Sequence, residues 1–321
     1  MEKSETRYVF ATADELKDVA PEEYADAFWP ARGGELARPW VRVESGGRRE
    51  LMEFPMDERA VELIAAEPHF NKKEYAEALG AFLGIAKAYP RCYQALSLAG
   101  SCYYFTGEHK KALKLYRKAI KVNPYDHRLY LYEGDALIRL GRARQARAAY
   151  VRGLALKPGH WSLMKNVKRL AGELGVKVHD ERFVPRSFAR REGDDVRIYI
   201  SASEDSAAHW ITYAACKAVW IGEPDHRKAM MGDAEHNWTN QEEWECFVNL
   251  LGVYMDRDDE VRAEPALDRL VRVLEDDLLD SFILYEIGSR ILPNIILTVP
   301  DEQREEMERY VAKYVVMPAG D

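Results

Sequence analysis

The sequence predicts a mostly α-helical protein: a solenoid of helical hairpins, then a C-terminal helical region, with short β-hairpins near residues 40–54 and 186–201. A fixed period of 34 residues is the main observation, because such periods are typical of stacked helix–turn–helix units. Five residues of one unit recur once: Gly100, Gly107, Ala112, Tyr116 and Pro124 are followed by Gly134, Gly141, Ala146, Tyr150 and Pro158. Amphipathic patterns after residue 204 and strand-like alternation in the hairpins complete the prediction.

Each repeated residue type has a packing reason. Gly100 and Gly134 are small where the two helices of one unit cross, so the backbones can approach closely. Gly107 and Gly141 end the first helix of each unit with a residue that tolerates positive φ. The repeated tyrosines fill the gap between units, and the repeated prolines stop the second helix.

These residues at this spacing resemble the tetratricopeptide repeat family, over about residues 59–175. The resemblance implies a solenoid that binds protein or peptide partners on the surface lined by the first helices. A degenerate copy at about 59–92 keeps Ala78, Phe82 and Pro90, and His160–Gly175 is expected to form a cap helix.

The units depart from the family pattern at several positions. Leu96 and Tyr130 stand where the family usually carries Trp, and Gly153 replaces a small Ala. Glu133 falls where an apolar residue is expected. In the degenerate copy, we expect Pro68 to shorten, kink or remove the first helix.

Composition bounds the class of protein. The chain has 321 residues, 47% hydrophobic and 31% charged, which favours two or three globular domains over disorder. No run approaches the ~20 apolar residues of a membrane helix. The first ten residues do not have the pattern of a signal peptide, and the 4 cysteines form no C-x-x-C pair. We therefore expect a cytoplasmic protein with reduced thiols.

Charge is unevenly distributed along the chain. Residues 93–175 hold 16 Lys and Arg against 5 Asp and Glu, whereas residues 222–321 hold 24 acids against 10 bases. Such asymmetry attracts an acidic partner, docks one part of the chain on another, or reflects only solvated faces.

The N-terminal region is predicted as a cap, residues 1–58. Thr12–Glu15 is typical of a capping box, and Pro21 suits the first turn of a helix. Alternation from Trp40 to Phe54 around Ser45-Gly46-Gly47 predicts a β-hairpin. A lone hairpin must pack on something, so we interpret it as a cap of the solenoid; an exposed edge for strand addition is the alternative.

The remaining residues, 176–321, are predicted as a C-terminal helical domain after the solenoid domain 59–175. A hairpin over Phe183–Ser201, turning at 192–195, marks the boundary. Helices are predicted for the following segments: Asp205–Ile221, a short one through Met231, Asn240–Met255, Ala266–Asp276, Leu279–Ile291 and Asp301–Val315. They form either a degenerate continuation of the solenoid or a bundle packed on its end. This half resembles extensions of uncharacterised bacterial repeat proteins.

Motifs for catalysis are absent from the sequence: there is no phosphate-binding loop, nucleophile elbow or H-E-x-x-H. His236 and Cys246, with Glu242, Glu243 and Glu245 between them, form the densest set of metal-ligand types. Their spacing is irregular, and we interpret the three acids as an exposed first helical turn. His209 and Cys216 lie seven apart on one helix and could share a face, but two ligands do not make a metal site, so we interpret them as a satisfied core histidine and a buried thiol. We expect no metal and no cofactor.

The groove of first helices is the predicted binding site. Projecting the repeat phase places these residues on it: Gln94, Ser97, Ser101, Tyr104 and Phe105, then Arg128, Leu131, Asp135 and Arg139, and finally Lys165 and Arg169. The set is aromatic at one end and basic at the other, which suits an extended peptide with an acidic segment. The carboxylate clamp of some family members is not expected, because Leu63 and Glu67 occupy its places. The alternative is a groove filled by the chain's own C-terminal helices.

A second basic set lies on the second helices: Lys110, Lys111, Lys114, Lys118, Lys121, Arg142, Arg144, Arg147 and Arg152. Exposed aromatic residues do not interleave with it, so we interpret it as a solvated face and expect no nucleic acid partner.

These observations favour a non-catalytic interaction or scaffold module that holds a peptide or partner helix. The alternative is an enzyme or metal-binding protein using the C-terminal region around His209, His226 and His236. The sequence also leaves open a homo-oligomer formed through a bare solenoid end.

Overall fold

The computed structural model describes residues 4–11, 34–57, 61–201, 204–232, 235–257 and 264–320. The chain forms two compact units that are interleaved in sequence: Gly33–Asp180 with Pro293–Asp321, and Met1–Arg32 with Glu181–Leu292. The predicted capping box at Thr12–Glu15 and the predicted helix start at Pro21 lie outside the described residues. That residues 58 and 175 end independently folding domains stays a prediction.

The repeats form the predicted solenoid of helical hairpins. Its helices are α1 (Val61–Asn71), α2 (Tyr75–Ala88), α3 (Tyr93–Phe105), α4 (His109–Val122), α5 (His127–Arg139), α6 (Ala143–Leu156), α7 (Trp161–Arg169) and α8 (Ala171–Leu174). The degenerate unit keeps its first helix, which continues three residues past Pro68. The predicted cap helix is divided at Leu170 into α7 and α8, and Gly175 ends it at φ +64°.

Close approach within each unit explains the repeated glycines. A Cβ added at Gly134 would lie 2.4 Å from Tyr150 Cε1, and one at Gly100 would lie 2.7 Å from Tyr116 Cε1. Both rings are buried, and Tyr116 also lies 5.6 Å from the ring of Tyr132 in the next unit. Tyr116 therefore lies between successive hairpins, as the sequence predicts, and Tyr150 is buried against the first helix of its own unit.

Two departures from the family pattern have local explanations. Glu133, at an expected apolar position, is buried and accepts a hydrogen bond of 2.7 Å from Arg117 Nε of the preceding unit. Gly153 lies under Leu163, whose methyl groups would be 3.1 Å from an added Cβ. This position is therefore too tight for Ala without a shift of its neighbour.

The first predicted hairpin is confirmed and packs on the repeats. Strands Pro39–Val43 and Arg49–Glu53 pair antiparallel, with Trp40 opposite Met52. Phe54, which follows the second strand, packs edge-on against Tyr93 at 4.9 Å. These contacts agree with the interpretation of the hairpin as a cap.

The unit that contains residues 181–292 combines a small sheet with helices. Strands Ser187–Glu192 and Asp195–Ile200 form the second predicted hairpin. Strand Arg7–Phe10, which the sequence did not predict, pairs parallel to Asp195–Ile200. The helices are α9 (Glu204–Gly222), α10 (Pro224–Met231), α11 (Asn240–Met255), α12 (Pro265–Glu275), α13 (Leu279–Ile283) and, after a π-helical turn at Leu284–Gly288, α14 (Ser289–Ile291).

One core joins the sheet to α9 in this unit. Val196 and Ile198 of the sheet pack with Ala214 and Ala218 of α9, and all four are buried. Thr239 caps α11, because Thr239 Oγ1 accepts a hydrogen bond of 3.1 Å from the Glu242 amide.

The last residues return to the solenoid unit. Helices α15 (Ile295–Thr298) and α16 (Asp301–Tyr310) are followed by a π-helical turn, Val311–Val315, which interrupts the single helix predicted for Asp301–Val315. Strand Val316–Pro318 then pairs antiparallel with Val176–Val178. The α16 helix and the π-helical turn pack on α6, the second helix of the last full repeat.

Candidate functional site

The inner groove is the surface lined by the first helices α3, α5 and α7. Residues 34 apart occupy equivalent places on successive helices, so side chains form rows across it. One row is Ser97, Leu131 and Lys165, and a second is Ser101, Asp135 and Arg169. The groove therefore changes character from α3 to α7, from small and aromatic side chains to basic ones.

A cavity of about 290 Å³ opens between α3 and α5. We call it the aromatic pocket, and its lining residues are Phe70, Ser97, Leu98, Ser101, Tyr104, Phe105, Tyr116, Tyr132 and Asp135. Five of them were predicted as groove residues from the repeat phase. Three others were missed although the same phase marks them, because Leu98 and Tyr132 lie 34 apart and Phe70 lies 34 before Tyr104.

Aromatic rings form one side of the pocket. Phe105 is 56% exposed and stacks on Tyr75, with 5.2 Å between ring centroids and 13° between planes. Tyr104 meets the ring of Phe105 edge-on at 5.5 Å, and Phe70 meets it at 6.0 Å. A large exposed ring in such a cluster provides apolar surface for a ligand.

Asp135 forms the polar part of the pocket. Its Oδ1 accepts hydrogen bonds from the Tyr150 hydroxyl at 2.6 Å and from Asn166 Nδ2 at 2.9 Å. Burial raises the pKa of this carboxyl group, although the charges of Arg169 and Arg139 act in the opposite direction. Its two neutral donors are therefore its hydrogen-bond partners among the described residues.

The basic end of the groove consists of Arg139, Lys165 and Arg169, and all three are exposed. Arg139 Nε donates a hydrogen bond of 3.3 Å to the Tyr104 hydroxyl. The basic end therefore borders the aromatic pocket directly. Exposed cations of this kind attract acidic groups and order them along the groove.

The other predicted groove residues are engaged by the protein itself. Arg128 donates to Asp126 Oδ1 at 2.8 Å and to the Ala37 carbonyl at 2.7 Å, and its bond to Asp126 raises its pKa. Gln94 Nε2 contacts the sulfur of Met56 at 3.1 Å. Leu131 is 7% exposed and belongs to the core.

Residues after 292 pack on α6, on the N-terminal hairpin and on strand Val176–Val178. Arg147 of α6 donates to the carbonyl groups of Ala312 and Val316 at 2.8 and 2.9 Å, and Arg152 pairs with Glu308 at 3.3 Å. The expectation of a solvated face is therefore wrong for Arg147, which is partly buried, whereas Arg152 is exposed although it pairs with Glu308. Two arginines of α6 therefore contact the C-terminal segment of the same chain.

Buried acids in α11 correct a second expectation. Glu242 and Glu243 are buried, not part of an exposed turn, because Lys217 of α9 reaches both carboxylates and lies 2.7 Å from Glu243 Oε1. Burial opposes the charge on Glu242, but Lys217 and His236 together lower its pKa below the usual value. The partner lysine lies on another helix, so no local pattern could reveal it.

His209 is a core histidine, as predicted, but it is not fully satisfied, because its Nδ1 is buried without a hydrogen-bond partner among the described residues. It is buried, and its Nε2 lies 2.9 Å from Glu264 Oε1. Cys216 is partly exposed, contrary to the expectation of a buried thiol, and receives a long contact of 3.7 Å from Asn249 Nδ2.

The three histidines of the enzyme or metal alternative lie beside three different carboxylates: His209 by Glu264, His226 by Glu245 and His236 by Glu242. Across the described parts of the chain, no group of three or more His, Cys, Asp or Glu is placed to hold a metal ion. Nor does any described helix have the length and apolar character needed to cross a bilayer.

Comparison with known families agrees with the repeat architecture. Residues 69–127 match the family model described as tetratricopeptide repeat, so this segment carries repeats of that family. The match spans part of α1, then α2, α3, α4 and the first residue of α5. No curated protein matches the chain. Tetratricopeptide repeats generally mediate interactions between proteins, and they are usually non-enzymatic.

Proposed function

We propose that this protein is a non-catalytic interaction module whose inner groove holds a peptide or partner helix that carries an acidic segment. The observation that carries the proposal is the arrangement along the groove. An open aromatic pocket at α3 and α5 adjoins three exposed cations, Arg139, Lys165 and Arg169.

Three physical arguments support binding at this surface. Apolar area in the pocket supplies the free energy of binding, because burying it on association removes it from water. The basic end supplies orientation and a faster encounter with an acidic ligand. The C-terminal segment 293–320 packs mainly on α6, on the N-terminal hairpin and on strand Val176–Val178, which supports a groove that this segment leaves open. A scaffold role, a cytoplasmic location, a bacterial origin and self-association are further parts of the proposal.

Arg128 is unsuitable for testing the groove. An acidic residue there would face Asp126, which is 2% exposed, and would lose the bond to the Ala37 carbonyl. Reduced binding by such a variant would therefore reflect damage to the N-terminal hairpin contact. The basic end offers a cleaner test, because its three side chains are exposed.

The experiment selects random 12-residue peptides displayed on phage against the wild-type protein. Selected peptides are then measured by fluorescence anisotropy against the triple variant Arg139→Glu, Lys165→Glu, Arg169→Glu. Exposed charge pairs contribute about 0.2–1 kcal/mol each, and reversal replaces attraction by repulsion, so we expect affinity to fall by about tenfold or more. Affinity for the wild type should also weaken as salt concentration rises.

The matched control changes net charge equally on another face. Lys110, Lys114 and Lys118 are exposed on α4, and reversing all three to Glu should change affinity less than threefold. Equal losses in the two triple variants would contradict the groove and indicate a general charge effect. Failure to enrich any peptide would count against the proposal as well.

A further inference from the structure

The aromatic pocket holds a carboxylate that the protein only half satisfies. Both hydrogen bonds to Asp135 end on Oδ1, and both donors, Tyr150 and Asn166, are neutral. Among the described residues, no ion pair or hydrogen bond reaches Oδ2. Because Asp135 lines the pocket, this second oxygen is available to a ligand there.

A partly buried carboxylate that no ion pair of the protein neutralises favours a cationic ligand over a neutral one. Burial raises the pKa of Asp135 even though Arg139 and Arg169 are near enough to oppose the shift. A neutral or acidic ligand group in the pocket would displace water and leave the charge less compensated. A cation would instead donate to Oδ2 and gain a charge-assisted hydrogen bond.

The walls of the pocket also suit a cation. The rings of Phe70, Tyr104, Phe105, Tyr116 and Tyr132 line it, and aromatic faces attract ammonium and guanidinium groups. Its volume of about 290 Å³ is at the lower limit of ligand pockets, which favours a single side chain over a cofactor. Ser97 and Ser101 add small polar surface for the remaining donors of the ligand.

We propose that the aromatic pocket binds the cationic end of a lysine or arginine side chain of the partner, with Asp135 as counter-ion and Tyr104 and Phe105 as aromatic walls. This inference rests on the proposed function and adds a chemical rule to it. Arg139 contacts the Tyr104 hydroxyl at 3.3 Å, so a binding surface of opposite charge begins beside the pocket. The partner therefore presents a basic residue followed closely by acidic ones, and the order of charges fixes its direction in the groove.

The first test uses small probes and needs no peptide. Binding of n-butylammonium chloride and of the neutral 1-pentanol is followed by chemical shifts in NMR spectra of the full-length protein. The wild type should bind butylammonium at least tenfold more tightly than pentanol. Asp135→Asn keeps the shape and an acceptor for Tyr150, and it should lose at least tenfold of the butylammonium affinity while pentanol changes less than twofold.

Two further measurements keep the test decisive if Asp135→Asn disturbs the fold. In the wild type alone, butylammonium affinity should fall as the pH is lowered and Asp135 takes up a proton. Equal affinity for the two probes in the wild type, or no loss at low pH, would overturn the proposal. So would an unchanged butylammonium affinity in a folded Asp135→Asn variant.

A peptide measurement separates this inference from the proposed function. In peptides selected on the wild type, replacing the single lysine or arginine by norleucine should weaken binding tenfold to the wild type and less than twofold to Asp135→Asn. Peptides that depend on the basic end but tolerate norleucine would overturn the cation rule and leave the groove intact. Probes that bind in the absence of groove-dependent peptides would instead overturn the proposed function and support the pocket.

Discussion

Adding one methyl group at Gly134 tests the packing of the repeats. In the Gly134→Ala variant the new Cβ would lie 2.4 Å from Tyr150 Cε1 and 2.7 Å from two further atoms of the ring. The ring is 0% exposed and its hydroxyl donates to Asp135, so it cannot move without loss. Overpacking of this kind costs about 1–3 kcal/mol.

Helix propensity acts in the opposite direction. Ala in a helix interior is favoured over Gly by about 0.5–1 kcal/mol, so we expect a net loss of about 1–2 kcal/mol. Hydrogen exchange of the α5 and α6 amides measures the free energy of opening of this unit directly. The matched control is Gly84→Ala in α2, where nothing lies within 4 Å of the added Cβ, and it should gain about 0.5 kcal/mol.

A double-mutant cycle identifies the tyrosine ring as the cause. In a Tyr150→Ala background no ring atom remains beside position 134, so adding Gly134→Ala should cost nothing or stabilise slightly. If Gly134→Ala alone stabilised the protein as Gly84→Ala does, the explanation of the repeated glycines would be refuted.

Three further predictions concern buried charge and docking. Lys217→Met leaves Glu242 and Glu243 buried without their cation, so unfolding in urea at pH 7 should show a loss of about 3–5 kcal/mol that shrinks at pH 5. Burial lowers the pKa of His127 to about 4, so the unfolded state binds more protons below its usual pKa of 6.5. Stability should therefore fall by about 2 kcal/mol from pH 7.5 to 5, and His127→Gln should remove that part of the pH dependence. Arg147→Ala removes two hydrogen bonds to carbonyl groups of the C-terminal segment. Hydrogen exchange there should be faster, because the free energy of opening of that segment should fall by about 2–3 kcal/mol.

Each of these three predictions has its own control variant and its own contradicting result. Lys228→Met on α10 and Arg144→Ala on α6 change exposed side chains, and each should shift stability by less than about 0.5 kcal/mol. A Lys217→Met variant as stable as Lys228→Met would contradict the buried ion network. A His127→Gln variant that keeps the full loss toward pH 5 would assign that loss to another group. Equal exchange in Arg147→Ala and Arg144→Ala would contradict docking through Arg147.

The sequence was sufficient for the parts of the fold that repeat. A period of 34 aligns Gly134 with Gly100 and Tyr150 with Tyr116, so both copies predict the same close crossing of two helices. Turn signals also predicted both hairpins, because the Gly-containing turns have local causes. Strand Arg7–Phe10 has only four residues, and its pairing with a strand nearly 190 residues later leaves no local pattern.

The candidate site was predictable to the extent that phase decides it. Ser101, Tyr104 and Asp135 line the pocket as the repeat phase predicts. The repeat phase does not show which side chains are already paired within the protein. It therefore could not show that Arg128 is engaged by Asp126 and the Ala37 carbonyl. Burial of acids in α11 was missed for a related reason, since acids at a helix N-terminus look alike whether they face water or a lysine on another helix.

Photo-crosslinking tests the central claim most directly. A selected peptide carrying benzoylphenylalanine in place of a residue next to its acidic segment is irradiated with the wild-type protein, and mass spectrometry locates the attachment. Binding in the inner groove predicts attachment on α3, α5 and α7, at residues such as Tyr104, Phe105 and Lys165. Attachment confined to second helices, for example around Lys114 of α4, would contradict it.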